Sequence, residues 1–121
     1  MSLIIGHIAQ VKDSPRTFAG RPYGWPETVI AKYAGDEVVL TKNNKRRPNM
    51  TLYIDRDGKL HEIGAGWNKQ GSNGSFIAVA FNRLGQYLNS GRPTNWILFP
   101  DDNGYYITTS SMRETEPVTN S

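Results

Sequence analysis

Short runs of alternating apolar and polar residues recur along the chain, and most of them end at glycine, proline, asparagine or aspartate. This pattern is typical of β-hairpins, because successive side chains on a strand point to opposite faces of a sheet. The clearest example is residues 51–55 and 59–63 around the turn 55–58, where Gly58 suits the positive φ of a tight turn. The sequence therefore predicts a mainly β fold, namely a small antiparallel β-meander or a partly open barrel.

The remaining strands follow from the same alternation. They are predicted at residues 3–11, 37–42, 75–82, 95–99 and 105–109, with a second hairpin turn at 100–104. The run 75–82 is the most apolar and is expected to be central. Gly64 and Gly66 are expected to bulge or bend the strand before Trp67, because glycines inside a strand pattern often mark such places.

Two segments leave the choice of secondary structure open. Residues 26–35 begin with proline and end with glycine as a helix does, yet Val29 and Ile30 favour a strand. Residues 83–94 have apolar residues at helical spacing, which predicts a turn or two of helix. We therefore expect one or two short helices in the fold, and an α+β arrangement stays open. Residues 20–26, with two prolines, are predicted to be an ordered loop over the edge of the core.

Length and composition predict one domain over residues 1–110 and a flexible tail over 111–121. The chain has no cysteine, which excludes disulfides and thiolate chemistry and favours a reducing cytosol. Its start lacks a basic segment ahead of an apolar one, and no apolar run approaches a membrane-spanning length. We therefore expect a cytoplasmic protein without a signal peptide or a transmembrane helix.

No catalytic motif is present. The histidines are His7 and His61, and the sequence suggests no nearby partner that would make His61 a base. Asp55 and Asp57 resemble the start of a calcium loop, but the position that should hold glutamate is Gly66. We therefore expect no enzyme, no metal and no cofactor.

The positive charges are concentrated in the first part of the chain. Residues 1–50 contain eight Lys or Arg and four acids, whereas residues 101–121 contain one Arg and four acids. The densest group is Lys42, Lys45, Arg46 and Arg47 on a connection between predicted strands. Such a group can follow a phosphate backbone, or it can be an ordinary solvated surface.

Four aromatic residues are candidates to accompany these charges in a nucleic-acid site. They are Tyr23, Trp25, Trp67 and Phe76, on whose rings unpaired bases can stack. The alternative for each is a place in the core. Arg83 and Arg92 are weaker candidates, which require that they lie near the same sheet.

The stretch Ile63-Gly-Ala-Gly-Trp-Asn-Lys-Gln-Gly-Ser-Asn-Gly-Ser-Phe-Ile-Ala-Val-Ala-Phe81 resembles a family of short uncharacterised proteins from bacterial plasmids, integrated elements and phages. That family has a Gly-x-x-Trp-Lys-Lys stretch, a polar loop ending in glycine and an aromatic strand. The resemblance extends through residues 96–99 and 101–104. Asn68 replaces the first lysine of the pair, and the N-terminal half has no counterpart. The resemblance implies a compact β-rich fold and a mobile-element origin in a bacterial host cell, and it transfers no site residues.

The leading hypothesis is a non-catalytic accessory protein that binds nucleic acid, with single-stranded DNA favoured because aromatic residues are present and no recognition helix is evident. The alternative is a protein-interaction module that inhibits or modulates a host protein through the same aromatic residues. A structural virion component is a third candidate. An exposed edge strand of an open sheet can also support a homodimer.

Overall fold

Within residues 3–72, 74–89 and 94–111, which the computed structural model describes, eight antiparallel strands follow one another and each is hydrogen-bonded to the next. The strands are β1 (Leu3–Val11), β2 (Ser14–Gly20), β3 (Val29–Tyr33), β4 (Met50–Arg56), β5 (Lys59–Gly71), β6 (Gly74–Phe81), β7 (Thr94–Asp101) and β8 (Gly104–Ser111). A short helix, α1 (Arg83–Leu88), connects β6 to β7. Strand β8 also pairs with β1, so the sheet closes into a barrel.

The mainly β fold predicted from the sequence is confirmed, and the barrel is closed rather than partly open. Closure depends on a close approach of β8 to β1 at Gly104, where any Cβ would overlap the carbonyl oxygen of Ile8. A bulge between Ile4 and Gly6 adjusts the register of the same pair. Because the described sheet has no edge strand, the edge-strand argument for a homodimer loses its basis.

The interior is filled by the inward-facing residues of the strands. The buried apolar side chains are Ile8, Phe18, Trp25, Val29, Ala31, Met50, Leu52, Ile54, Ile63, Ile77, Val79, Trp96, Leu98 and Ile107. Most of them alternate with exposed or half-buried neighbours, as period-two patterning requires. The barrel therefore has a packed apolar core.

The ambiguous segment 26–35 is a strand over Val29–Tyr33. Val29 and Ala31 are fully buried and Lys32 is exposed, so the burial has period two. The segment is a strand because it is hydrogen-bonded on both sides, to β2 and to β4. The alternation favoured by its β-branched residues prevailed over the helix-like start and end.

The strand predicted at 37–42 is wrong. These residues lie in the 34–49 loop, where the backbone pairing is a single bridge between Leu40 and Arg46. Tyr33 already pairs with Met50, so β3 and β4 are neighbours in the ladder and no strand fits between them. As a result, Val38 is 63% exposed and Leu40 is 55% exposed.

The turn and helix predictions are confirmed. Asp57 and Gly58 have φ angles of 54° and 81°, as a two-residue hairpin turn requires. The turn at 100–104 joins β7 to β8, and α1 begins after Asn82, whose side chain accepts a hydrogen bond from the amide of Gly85 at 2.9 Å. The register shift beside Gly64 confirms the predicted irregularity. The predicted tail 111–121 lies outside the described residues, apart from Ser111 at the end of β8.

The two ends of the barrel differ. The helix end contains α1, the turn between β4 and β5 and the connection 21–28 between β2 and β3. The loop end contains the 34–49 loop and the turns that connect β1 to β2, β5 to β6 and β7 to β8. This division decides which of the predicted site residues can act together.

Candidate nucleic-acid interface

The 34–49 loop is fastened to the barrel by Asn49, which is 2% exposed. Its Nδ2 donates hydrogen bonds to the carbonyl oxygens of Gly35 at 2.8 Å and Glu37 at 3.2 Å. Its Oδ1 accepts one from the amide of Asn68 on β5 at 2.9 Å. One buried amide therefore holds the beginning of the loop against its end and against the sheet.

The tip of the loop, residues 41–47, contains the predicted cluster of positive charges, which we call the basic tip. The amide of Thr41 donates to the carbonyl of Lys45 at 2.8 Å, and Asn44 has a φ of 59°, so the tip is a tight reversal. The four cations Lys42, Lys45, Arg46 and Arg47 are all exposed. Within the described ranges none of them forms an ion pair with a carboxylate, so their charge is available to a ligand.

Two hydrogen bonds place the basic tip against the outside of β5. The indole Nε1 of Trp67 donates to the carbonyl of Arg46 at 3.1 Å. The guanidinium of Arg46 donates through Nη2 to the carbonyl of Asn68 at 3.2 Å. Trp67 is half-buried and faces outward, because it alternates with the buried Gly66. The structure thus brings together the basic tip and one of the predicted aromatic residues.

Three more rings lie on the outer face of the next strands, and we call them the ring row. They are Phe76 on β6, Phe99 on β7 and Tyr106 on β8, all half-buried. The centroids of Phe76 and Phe99 are 6.0 Å apart, and those of Phe99 and Tyr106 are 5.7 Å apart. The last two rings are stacked, with 29° between their planes. The ring row is thus a contiguous aromatic surface across three strands.

The basic tip and the ring row belong to one face. Lys69 is exposed and pairs in register with Phe76, so β5 contributes a further cation directly beside the first ring. On the far side, His7 pairs in register with Tyr106, and its Nε2 lies 2.6 Å from the Oδ2 of Asp101. Across the outer surface the order is therefore basic tip, Lys69, ring row and the histidine–aspartate pair.

Sequence reasoning identified Phe76 but missed Phe99 and Tyr106. A signal for them was present, because a two-residue turn at 102–103 pairs residue 101 with 104, 100 with 105 and 99 with 106. Phe99 and Tyr106 are paired in register in that hairpin. The buried Leu98 and Ile107 mark the opposite face, so the same alternation assigns both rings to the outside.

Two predicted aromatic residues do not belong to this face. Trp25 is 7% exposed, and its ring packs 5.0 Å from that of Trp96 and 6.3 Å from that of Phe81 in the core. It is therefore a structural residue, because the connection from β2 to β3 turns it into the helix end of the barrel. Tyr23 is 88% exposed but lies on that same connection, so it is at the wrong end.

The weaker cationic candidates are also not part of the face. Arg83 begins α1 at the helix end, opposite the basic tip, and Arg92 lies outside the described residues. Among the side chains that the structure describes, no three of His, Asp and Glu are grouped to hold a metal ion. Asp55 instead accepts a hydrogen bond from the amide of Gly58 at 3.1 Å within its turn, and His61 is exposed on β5.

A cleft of about 470 Å³ opens at the loop end, beneath the 34–49 loop. It is lined by Tyr33, Asp36, Val38, Arg46, Asn68, Lys69, Gln70, Ser75, Phe76, Ile77, Pro100 and Tyr105. Burial, together with a hydrogen bond to Asp36, raises the pKa of Tyr33 above its ordinary value, and burial raises that of Tyr105. Both phenols therefore remain protonated near neutral pH.

No family model, curated protein or solved structure matches this chain. The resemblance to proteins of mobile elements stays a prediction. No helix in the described part of the chain has the length and apolar character to cross a membrane.

Proposed function

We propose that this protein binds single-stranded nucleic acid, with DNA favoured, as a non-catalytic accessory protein. The observation that carries the proposal is the continuity of the basic tip with the ring row on one outer face of the barrel. In this arrangement, the cations contact phosphates while the rings stack against bases. The mobile-element setting suggested by the sequence is compatible with such a role.

The energetic basis is the sum of two ordinary interactions. Each base stacked on an aromatic side chain contributes about 1–3 kcal/mol. Each phosphate neutralised by Lys or Arg releases condensed counterions and makes the affinity depend on salt. The ring row and the basic tip supply both groups on adjacent elements, and the strands and hydrogen bonds beneath them fix their positions before a ligand binds.

The preference for single strands follows from the shape of the face. Duplex DNA is usually read by a helix or a two-stranded ribbon inserted into the major groove. The described helix, α1, has six residues and lies at the helix end, away from the basic tip. A curved sheet surface with exposed rings suits unpaired bases, whose flat faces are accessible.

The first test measures the salt dependence of binding to a fluorescently labelled oligothymidylate by fluorescence anisotropy. The variant K45A/R46A/R47A should flatten the slope of log affinity against log salt by up to about 2, since each lost phosphate contact removes about 0.7. The matched control is R21A/K59A/R83A, which removes three exposed cations from the helix end and should leave the slope unchanged.

The second test separates stacking from charge. Phe99→Ala and Tyr106→Ala should each weaken binding about 5- to 150-fold at constant salt, as the loss of one stacked base predicts. Tyr23→Ala removes an exposed ring at the other end and should have no effect. If the unmodified protein gives no anisotropy change even at about 50 mM salt, where charge contacts are strong, the proposal is wrong.

A second candidate function is favoured by a different observation. Val38, Val39 and Leu40 are consecutive apolar side chains that are exposed on the 34–49 loop. Exposed apolar side chains in a group are typical of protein-binding surfaces. This supports the alternative of a module that inhibits or modulates a host protein.

The two functions can be distinguished with one variant. Val38, Val39 and Leu40 changed together to Ser should abolish a complex with a host protein if that is the function. The same variant should keep its affinity for the oligothymidylate. Recovery of one partner in a defined ratio by the wild type, and its loss with the variant, would favour the second candidate.

A further inference from the structure

The cleft lies at the mouth of the barrel, where the inward-facing Ile77 and Tyr105 are part of its lining, whereas the ring row is on the outer face. Phe76, Pro100 and Tyr105 provide flat or apolar walls, while Asp36 and Arg46 provide a carboxylate and a guanidinium. Ligand pockets commonly combine apolar or aromatic walls with a few polar groups that fix the orientation of the ligand. At about 470 Å³ the cleft has room for one.

The cleft is continuous with the ring row because they share Phe76. Arg46 likewise belongs both to the basic tip and to the lining of the cleft. A strand that stacks on the ring row and contacts the basic tip therefore passes the mouth of the cleft. One of its bases can turn into the cleft while its neighbours stay on the outer face.

The polar groups of the cleft are oriented before any ligand binds. The Nδ2 of Asn68 donates to the hydroxyl of Tyr33 at 2.7 Å, and that hydroxyl donates to the Oδ1 of Asp36. These two hydrogen bonds fix the carboxylate of Asp36 and leave its other oxygen as an acceptor. The guanidinium of Arg46 uses Nη2 on the carbonyl of Asn68, so further N–H groups are free to donate.

We propose that this cleft receives one guanine base of the bound strand, an inference that rests on the proposed function. Guanine presents N7 and O6 as acceptors on one edge, which match an arginine. It presents N1–H and the exocyclic amine as donors on the adjoining edge, which match the carboxylate of Asp36. Adenine, cytosine and thymine each present a single N–H donor group to the carboxylate, so guanine alone offers two adjacent acceptors to the arginine and two adjacent donors to the carboxylate.

The test compares oligothymidylate nonamers that have thymine, guanine, adenine or cytosine at the centre. The guanine nonamer should bind about 5- to 150-fold more tightly than the thymine nonamer, as expected for one specific base contact. Asp36→Asn should remove this preference while keeping the affinity for oligothymidylate. Glu37→Gln is the matched control, because it makes the same charge change on the next residue, which does not line the cleft, and it should keep the preference.

The outcomes distinguish this inference from the proposed function. If all four nonamers bind equally, the guanine inference is wrong and the proposed function stands. If none binds, both are wrong. An independent readout is NMR titration with guanosine monophosphate, which should shift the amides of Asn68 and Ile77 more than adenosine monophosphate does. Equal or absent shifts for the two nucleotides overturn the inference.

Discussion

Asn49 offers a quantitative test of how the 34–49 loop is held. The Asn49→Ala variant removes three side-chain hydrogen bonds, two donated to loop carbonyls and one accepted from the amide of Asn68. The backbone of residue 49 keeps its own bonds to Ala34 and Gly66, so the strand ladder is not the part that is perturbed.

The expected destabilisation follows from the number of bonds and from their burial. A hydrogen bond inside a protein contributes about 0.5–1.5 kcal/mol, so three bonds give a loss of about 2–4 kcal/mol in the free energy of unfolding. At this chain length 1 kcal/mol corresponds to about 4 °C, so the Tm should fall by about 8–16 °C. The affinity for oligothymidylate should fall as well, because the basic tip loses its fixed position.

The assay is thermal unfolding followed by circular dichroism, with Asn43→Ala as the control. Asn43 is exposed on the same loop, so its truncation should change the free energy of unfolding by no more than about 0.5 kcal/mol. If the two variants unfold within about 2 °C of each other, the reasoning is refuted, because buried bonds of this number cannot be so weak.

Three further predictions concern the barrel itself. Trp25→Ala should lower the free energy of unfolding in urea by about 3–5 kcal/mol, because the side chain is buried. The control Tyr23→Ala should change it by no more than about 0.5 kcal/mol, and equal effects of the two variants would contradict the assigned burial. Gly104→Ala should cost about 1–3 kcal/mol, measured in the same way, because its Cβ overlaps the backbone of β1, and an unchanged midpoint would refute this close approach. Arg56 lowers the pKa of Glu27 below the ordinary 4.5, so their pairing stabilises the fold above that pH and the stabilisation is lost as the pH falls through the lowered pKa. The Tm of Arg56→Gln should therefore be below that of the wild type near neutral pH and converge with it in acid, and a constant difference across the range would exclude this linkage.

Local patterns predicted most of the strands because a few neighbouring residues are enough to specify a hairpin. The turn at 55–58 needs a residue that accepts positive φ, and Gly58 supplies it within the four residues that form the turn. The same alternation predicted the run 75–82 and the two strands around 100–104, since a period of two depends on no distant residue. The apolar run at 37–42 misled the same reasoning because alternation and β-propensity do not show whether a neighbouring strand is available.

The candidate site was predictable only in part. Lys42, Lys45, Arg46 and Arg47 were identified because like charges close in sequence are close in space. Phe76 and Trp67 lie on the same face as these cations, but nothing in the sequence distinguished them from Trp25, which the connection from β2 to β3 inserts into the core.

The sequence by itself determined the antiparallel β class, the hairpin turns and the location of the positive charges, because each depends on residues within about ten positions of one another. Only the tertiary structure decided that the sheet closes, since the pairing of β1 with β8 joins the two ends of the described chain. Closure also decided which rings share a face with the basic tip. Distances across the barrel are set by register between strands far apart in sequence, and alternation within one strand contains no information about that register.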